Sequence, residues 1–234
     1  IHHIGEIEQV WQKLTSYEAL VLKPARGAGG KGIMILKRRG ASWYEGQNRV
    51  TPETIFSHIA NILFGIYSFG NDDCALVESY VQPHEFFHSL YPQGVPDIRI
   101  ILLKGTPLMG MLRLPTAKSG GKANLHQGGL GIGIDIETGH LKKAYDGKQH
   151  RRDHPDSGIE ITGLQLPHWQ ELIRLAVATS GHFPLEFLGV DLVIDAQLGP
   201  MIMEVNVRPG LAIQLANQQG LREILDQKNR TLCI

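Results

Sequence analysis

Two carboxylates and one amide near the end of the chain have the chemistry of a magnesium site. The surrounding residues predict a β-hairpin, because two apolar runs flank a turn at 195–199. Asp191 begins the first strand, and Glu204 and Asn206 end the second, where alternation places both on one face. Pairing across the hairpin can bring Asp191 beside them. These oxygens suit Mg²⁺ that also holds substrate phosphates, so we predict a metal site; the alternative is a surface hairpin with scattered acids.

A glycine-rich segment, GAGGKG at 27–32, is the second candidate for chemistry. It matches GxGxxG, but residues 33–37 predict a strand instead of the helix that a dinucleotide-binding fold needs. A Walker A loop needs Ser or Thr after its lysine, and here Lys31 precedes Gly32. We therefore predict a flap between two strands whose backbone N–H groups bind phosphates, with Lys23 as a nearby point charge. The alternative is a flexible glycine hairpin.

Composition limits the classes of protein that fit. The 234 residues are 42% hydrophobic and 20% charged, which is ordinary for a globular protein. The formal net charge is zero, so we expect neither nucleic acid nor a membrane surface as a partner. Cys74 and Cys233 are far apart, which argues against a disulfide scaffold or a zinc site and fits the cytoplasm. The first residue is not Met and opens an apparent helix, so we expect that an N-terminal segment is missing.

The order of predicted elements mixes helices with antiparallel hairpins, which is typical of an α+β fold. The predicted helices are 6–18, 51–64, 167–180 and 211–225. The predicted strands are 19–24, 33–37, 75–81, 97–104 and 108–114, with further hairpins at 134–143 and 190–205. The predicted loops are the glycine-rich segment 119–133 and the polar segment 149–158.

Histidines in the two predicted loops have more than one interpretation. We expect the charged segment 150–154 to be a solvated loop, with contact to an acidic substrate as the alternative. For His126, a hydrogen bond that orders its loop and a contact near a phosphate both stay open.

Several motifs occur together in one order. They are Lys23-Pro24, the glycine flap, the strand that ends at 78–81 and the triad in the hairpin, and this order resembles the ATP-grasp superfamily of carboxylate–amine ligases. The segments DIR (97–99), KANLHQGG (122–129) and MEVNVRPG (203–210) look like the α-L-glutamate ligases, including enzymes that add glutamate to a ribosomal protein. The string RLPTAKSGGKANLHQGGLGIGID is similar to a bacterial branch of glutamate-ligase-like, sugar-transfer-associated ATP-grasp proteins. The resemblance covers about residues 19–220.

The resemblance implies a fold and a reaction. Two α+β subdomains, residues 1–81 and 82–234, would grip the nucleotide with antiparallel sheets, after an N-terminal domain that this chain lacks. The reaction would use ATP and two Mg²⁺ ions, with Mn²⁺ as an alternative, and would release ADP. It would join a small-molecule or peptide carboxylate to an amine through an acyl-phosphate, with glutamate as the expected amino acid and an unknown acceptor. The protein would be cytoplasmic, and a homo-oligomer stays open.

The resemblance also assigns roles to residues. Those expected to bind the nucleotide are Lys23 at the α- and β-phosphates, Gly27, Gly29, Gly30 and Gly32 over the triphosphate, Glu78, Tyr80 and Val81 at the adenine, and Asp97 near the ribose or the site entrance. Glu78 and Glu85 are both candidates for the ribose carboxylate. Those expected at the reacting groups are Lys122 and Asn124 at the γ-phosphate, Arg99, Arg113 and Arg208 at a substrate carboxylate, and Asp191, Glu204 and Asn206 at the metal.

Two rival functions share the same motifs. One is a kinase-like phosphotransferase that uses the same flap and metal ligands. The other is a non-catalytic nucleotide-binding module linked to glycan or peptide export. Release of ADP without any need for an amine would favour the phosphotransferase.

Overall fold

The protein divides into two compact units. A computed structural model describes residues 1–27 and 30–232, and the units are residues 1–80 and 81–234. Within the described part, no helix is long and apolar enough to cross a bilayer.

The first unit is a five-stranded antiparallel sheet with helices on one face. Its elements are α1 (Ile7–Leu14), β1 (Ala19–Pro24), β2 (Met34–Arg39), β3 (Ser42–Glu45), β4 (Asn48–Val50), α2 (Pro52–Leu63) and β5 (Ala75–Ser79). The strand order is β4-β3-β2-β1-β5. Alternation along β1 buries Leu20 and Leu22 against the core that contains Ile55 and Ile59 of α2. The intervening residues of β1, including Lys23, therefore lie on the other face of the sheet.

Helix α2 begins as the sequence predicts. The Thr51 hydroxyl accepts a hydrogen bond from the Thr54 N–H at 3.3 Å, and Pro52 occupies the first helical position. Such a cap satisfies an N–H that has no partner inside the helix, and a proline there loses no helical hydrogen bond.

The second unit is a seven-stranded antiparallel sheet with helices on both faces. Its helices are α3 (Glu85–Leu90), α4 (Trp169–Ser180), α5 (Ile213–Asn217) and α6 (Leu221–Leu232). Its strands are β6 (Asp97–Leu103), β7 (Thr106–Leu114), β8 (Leu130–Ile134), β9 (Leu141–Tyr145), β10 (His150–Arg151), β11 (Phe187–Asp195) and β12 (Gly199–Asn206). The strand order is β10-β9-β8-β7-β6-β11-β12.

Both faces of this larger sheet pack against helices. On one face, Ile98 and Ile100 join Trp169 and Leu172 of α4 in the main core. On the other face, Ile101 packs with residues of α5 and α6. Because both faces are covered, β11 is buried almost throughout, although the strands are antiparallel. The antiparallel sheets with packed helices confirm the α+β class, and the pairing of β11 with β12 confirms the hairpin of 190–205.

Three predictions from the sequence are corrected. The predicted loop 119–133 ends earlier, because residues 130–134 form β8. The predicted final helix is two helices, since Gln218 adopts a left-handed conformation (φ 53°) between α5 and α6. The segment 150–154 is not simply solvated, because His154 is fully buried. The prediction also missed β3, β4 and α3.

Close packing explains why β8 resembled a loop in the sequence. Its glycines alternate with leucine and isoleucine, and they face α5. A Cβ on Gly131 would lie 3.1 Å from the sulfur of Met111, and one on Gly133 would lie 2.7 Å from the carbonyl oxygen of Ala216. Glycine in this strand therefore permits a helix to approach the sheet backbone.

This packing predicts the effect of adding one methyl group to β8. Gly133→Ala should displace α5 and lower the free energy of unfolding by about 1–3 kcal/mol, the usual cost of overpacking. Gly5→Ala is the control, because a Cβ there would have no atom within 4 Å. Urea denaturation of both variants measures the difference, and equal stability of Gly133→Ala and wild type would contradict the packing argument.

Candidate functional site

A cluster of charged side chains lies on the face of the first sheet opposite its helices. The Nζ of Lys23 in β1 is 2.7 Å from Oε2 of Glu78 in β5. The Nζ of Lys37 in β2 lies 4.2 Å from the ring centroid of Tyr80. Strand register explains the grouping, because Val21 is opposite both Ile35 and Glu78. Three residues that the sequence assigned to nucleotide binding therefore share one face, and Lys37 is a further cation that the sequence analysis missed.

The same face has apolar side chains among the charges. Ile35 is 37% exposed and Leu76 is 38% exposed, and Leu76 is the direct cross-strand partner of Lys23. An accessible apolar surface with two ammonium groups and a carboxylate suits a ligand that has a flat ring system and an anionic group. Val81, the remaining adenine candidate, is half-buried and is the first residue of the second unit.

The glycine flap follows β1 and is anchored at both ends. The backbone N–H of Arg26 donates to both oxygens of Asp73 at 3.1 Å. The imidazole of His58 is 2.9 Å from the carbonyl oxygen of Gly32 through Nε2. Gly32 has φ 76°, and a Cβ there would lie 2.6 Å from the Tyr67 ring. Of the predicted phosphate-binding glycines, Gly29 lies outside the described residues, and Gly27 and Gly30 lie within the flap.

Asp73, which accepts from the backbone N–H of Arg26 just before the flap, is held in its charged form. Burial favours the neutral acid, but hydrogen bonds from Ser68, Cys74 and Arg26 outweigh it and keep the pKa of Asp73 below its usual value. No sequence pattern predicts this anchor, because Asp73 is 47 residues from Arg26 in the chain.

The second unit gathers an acid–arginine cluster on the face of the sheet that α5 covers. Asp191 of β11 is directly opposite Arg99 of β6, and Asp97 of β6 is directly opposite Arg113 of β7. Arg99 donates from Nε and Nη2 to the two oxygens of Asp191, at 2.7 and 2.6 Å. Arg113 donates from Nη2 to Asp191 at 2.7 Å and from Nε to Asp97. One carboxylate is therefore held by two guanidinium groups, one of them in the bidentate geometry that favours arginine.

The environment shifts the pKa values of the two carboxyl groups in this cluster in opposite directions, down for Asp191 and up for Asp97. Asp191 is only 3% exposed, and burial opposes its ionisation, but Arg99 and Arg113 together hold its pKa below the usual value. Burial raises the pKa of Asp97 to about 7; the charge of Arg113 opposes this rise and that of Asp191 adds to it. Burial also disfavours the charge of Arg113, yet its two carboxylate partners raise its pKa above the usual value. Asp191 is thus the firmly ionised member of the pair.

The three predicted metal ligands lie on adjacent strands. Glu204 is directly opposite Asp191 in the register and is exposed, and the Nδ2 of Asn206 donates to Asp191 at 3.2 Å. Carboxylate and amide oxygens fit Mg²⁺. Among the described residues no group of three His, Cys, Asp or Glu side chains could hold a metal ion. Oδ2 of Asp191 accepts from Arg99, Arg113 and Asn206. The only described group that donates to Oδ1 is Nε of Arg99, so Oδ1 is the oxygen with a lone pair left for a metal ion.

The remaining predicted groups lie on loops of this unit. Oδ1 of Asn124 accepts from the backbone N–H of His126 at 3.0 Å and caps a short 3₁₀ turn, so it orders the loop. The side chains of Lys122 and His126 are exposed, as is Arg208 after β12. In the described part of the chain, neither Lys122 nor Arg208 has an ion-pair partner. Arg208 is therefore the predicted carboxylate-binding arginine whose charge is not already compensated, unlike Arg99 and Arg113.

Comparisons with known proteins give one family match over nearly the whole chain. A family model described as sugar-transfer associated ATP-grasp matches residues 1–230. No protein of curated function matches the sequence.

Solved structures with a similar arrangement share little sequence with this chain. The D-cycloserine synthetase DcsG has 14% identity and a TM-score of 0.48, over 97% of this chain and 61% of that one. A D-alanine–D-alanine ligase from Bacillus anthracis, complexed with ATP, has 14% identity and a TM-score of 0.45, over 94% and 49%. A RiPP-associated ATP-grasp ligase from Chryseobacterium gregarium, in complex with ADP and a leader and core peptide, has 12% identity and a TM-score of 0.40, over 97% and 52%. The chain thus spans between 49% and 61% of the length of these proteins.

The acid–arginine cluster predicts different effects for two neighbouring acids. Asp191→Asn leaves two buried guanidinium groups short of one negative charge, so it should lower the free energy of unfolding by about 2–4 kcal/mol. Glu204→Gln removes an exposed charge and should change it by no more than about 0.5 kcal/mol. Urea denaturation with EDTA present makes the comparison, and equal losses in the two variants would contradict the assignment of Asp191 as the anchor.

Proposed function

This chain belongs to the sugar-transfer associated ATP-grasp family, and on that premise we propose that it is an ATP-dependent ligase that joins a carboxylate to an amine. Its α+β architecture with antiparallel sheets is that of the ATP-grasp fold. The observation that carries the proposal is the acid–arginine cluster beside Glu204 and Asn206, because it places cationic groups and metal-binding oxygens on neighbouring strands.

The first unit supplies groups for the nucleotide. In this proposal Lys23 binds the α- and β-phosphates, and the glycine flap offers its backbone N–H groups to the triphosphate. In the same proposal Glu78 and Tyr80 contact the adenine, and the apolar side chains beside Lys23 pack on the purine. Lys37 extends the cationic part of this face. Of the two ribose candidates, Glu78 lies in this unit beside Lys23, and Glu85 lies in α3 of the second unit.

The second unit supplies groups for the reacting atoms. Asp191, Glu204 and Asn206 would hold Mg²⁺, and two ions are expected from the resemblance. When bound, Mg²⁺ would neutralise charge on the phosphate oxygens. Lys122 would contact the γ-phosphate, and Arg208 would bind the substrate carboxylate. Asp97 belongs with Arg113 in the acid–arginine cluster, which supports a role in positioning that arginine instead of contact with ribose.

The proposed reaction has two steps. A carboxylate oxygen of the substrate attacks the γ-phosphorus of ATP, the bond to the β-phosphate oxygen breaks, and an acyl-phosphate and ADP form. An amine nitrogen then attacks the acyl carbon, phosphate leaves, and the nitrogen loses a proton as the amide forms. Cations are needed because the carboxylate and the γ-phosphate are both anions that repel on approach. Water has to be excluded from the acyl-phosphate, because water would otherwise hydrolyse it.

Glutamate is the amino acid that the motifs favour. The segments DIR, KANLHQGG and MEVNVRPG support it through their resemblance to the α-L-glutamate ligases. We place the reaction in the cytoplasm and leave the acceptor as a small-molecule or peptide substrate. A phosphotransferase that uses the same groups is the rival, and it would need no amine.

Nucleotide binding by the first unit predicts a selective loss of affinity. Lys23→Ala should weaken binding of a non-hydrolysable ATP analogue by about tenfold or more, because it removes a point charge at the phosphates. Lys13→Ala is the matched control, since Lys13 is an exposed lysine at the end of α1 in the same unit. Isothermal titration calorimetry measures both affinities. Unchanged affinity in Lys23→Ala would count against the assignment of this face.

The acyl-phosphate predicts a trappable product. Mixing the protein with ATP, Mg²⁺, a panel of carboxylic acids and hydroxylamine should yield a hydroxamate and ADP for the true substrate. Glu204→Gln should reduce hydroxamate formation by about 100-fold or more, since it removes a metal-facing charge at an exposed position with little effect on folding. Transfer of phosphate to a hydroxyl, with no hydroxamate and no dependence on an amine, would favour the phosphotransferase.

A further inference from the structure

We propose that His154 is a positioning residue that holds the loop of residues 115–129 in its reactive arrangement. The inference rests on the proposed function, because that loop carries Lys122 and Asn124. His154 lies in the segment that the sequence predicted to be solvated, and it is instead fully buried.

Every polar atom of the His154 imidazole is used. Nδ1 accepts hydrogen bonds from the backbone N–H groups of Asp156 and Ser157, at 3.2 and 3.4 Å. Because Nδ1 accepts, the proton of the neutral ring is on Nε2, which lies 2.9 Å from the carbonyl oxygen of Pro115 and donates to it. The ring face stacks on Tyr91, with centroids 4.6 Å apart and an angle of 19° between the planes. The imidazole thus links the first residue of the loop to two other segments.

Asp156 adds a second link to the same end of the loop. Its Oδ2 accepts a hydrogen bond from the backbone N–H of Ala117 at 2.8 Å. The turn 154–158 is closed by the Gly158 N–H, which donates to the carbonyl oxygen of His154 at 2.8 Å. His154 and Asp156 therefore hold Pro115 and Ala117 from one short turn.

The segment that begins at Tyr91 supports the loop from another side. Gly94 has φ 83°, and a Cβ there would lie 2.0 Å from the carbonyl oxygen of Gly121 and 2.8 Å from Cγ of Pro115. Gly121 directly precedes Lys122. The loop thus packs against Gly94 at Pro115 and Gly121. It is hydrogen-bonded to His154 and Asp156 at Pro115 and Ala117.

Hydrogen bonds inside the loop connect these contacts to the part of the loop that carries Lys122 and Asn124. The Thr116 hydroxyl donates to the carbonyl oxygen of Gly128 at 2.8 Å and joins the two ends of the loop. The Gly129 N–H donates to the carbonyl oxygen of Asn124 at 2.9 Å. A displacement of Pro115 would therefore move the ends of the loop that carries both residues. Since a misplacement of about 1 Å can lower a rate by about 100-fold, an indirect contact of this kind can control turnover.

Two amide substitutions test the hydrogen bonds of the two His154 nitrogens one at a time. His154→Gln can still donate to Pro115 from the position of Nε2, but it lacks the acceptor at Nδ1. His154→Asn keeps an acceptor near Nδ1 and loses the donor to Pro115. If His154 acts through Pro115, kcat for hydroxamate formation should fall about tenfold or more in His154→Asn and stay within about threefold of wild type in His154→Gln. The KM for ATP should change by less than kcat in His154→Asn, because the loop's one proposed nucleotide contact, Lys122, is at the γ-phosphate that is transferred, whereas the other proposed nucleotide contacts lie in the first unit.

Asp156 provides a test on an exposed side chain that is less prone to unfold the protein. Asp156→Asn keeps an acceptor for the Ala117 N–H and should behave as wild type, whereas Asp156→Ala removes it and should lower kcat. Hydrogen–deuterium exchange of residues 116–129 gives a readout that needs no activity. Exchange should accelerate in His154→Asn and Asp156→Ala, and match wild type in His154→Gln and Asp156→Asn.

The two readouts distinguish the failure of each idea. If wild type forms no hydroxamate with any acid but exchange follows the expected pattern, the ligase proposal fails and the positioning contacts stand. If exchange in the loop is unchanged in His154→Asn and Asp156→Ala, or if kcat falls equally in His154→Gln and His154→Asn, the positioning role of His154 is overturned.

Discussion

The bonds of Arg99 and Arg113 to the buried carboxylate of Asp191 tie together the strands from which the candidate site of the second unit is built. They connect three neighbouring strands, because Asp191 lies in β11, Arg99 in β6 and Arg113 in β7. A slip of one residue in either pairing would turn these charges toward the apolar core beneath α4. A charge left there without a partner is costly, so the ion pairs and the strand register enforce each other. The positions of Glu204 and Asn206 follow from the same register.

Glycine has two separate physical roles in this chain. In the flap, Gly30 and Gly32 adopt positive φ angles that other residues rarely accept, and the flap is tied down at its ends by Asp73 and His58. In β8, Gly131 and Gly133 allow α5 to approach the strand closely. The same residue type thus gives a loop in one unit and a tightly packed strand in the other.

The two units differ in how they present charged groups. The first unit leaves one face of its sheet accessible, with lysines beside apolar side chains, which suits a ligand that has both a ring system and phosphates. The second unit covers both faces of its sheet and buries a compensated set of charges. The exposed carboxylate of Glu204 and the amide of Asn206 lie beside these charges on β12. Buried charges that are already oriented need little reorganisation when charge develops on a substrate, which is the condition that phosphoryl transfer requires.

The sequence by itself determined the types of local structure and chemistry. Two apolar runs around a turn predicted the hairpin of 190–205, Thr51 and Pro52 predicted the start of α2, and the resemblance of the ordered motifs predicted the family. The hairpin and the start of α2 depend on residues close together in the chain, so periodicity and spacing are sufficient to predict them, whereas the family was predicted from the resemblance of motifs spread over about residues 19–220.

Only the tertiary structure decided which groups are partners. Arg99 and Asp191 are separated by 92 residues, and nothing in either segment specifies that β6 and β11 are neighbours. The burial of His154 likewise depends on Pro115, 39 residues earlier in the chain, and on stacking with Tyr91. Charge compensation, shifted pKa values and loop positioning arise from such long-range contacts, whereas sequence patterns record only the preferences of each segment.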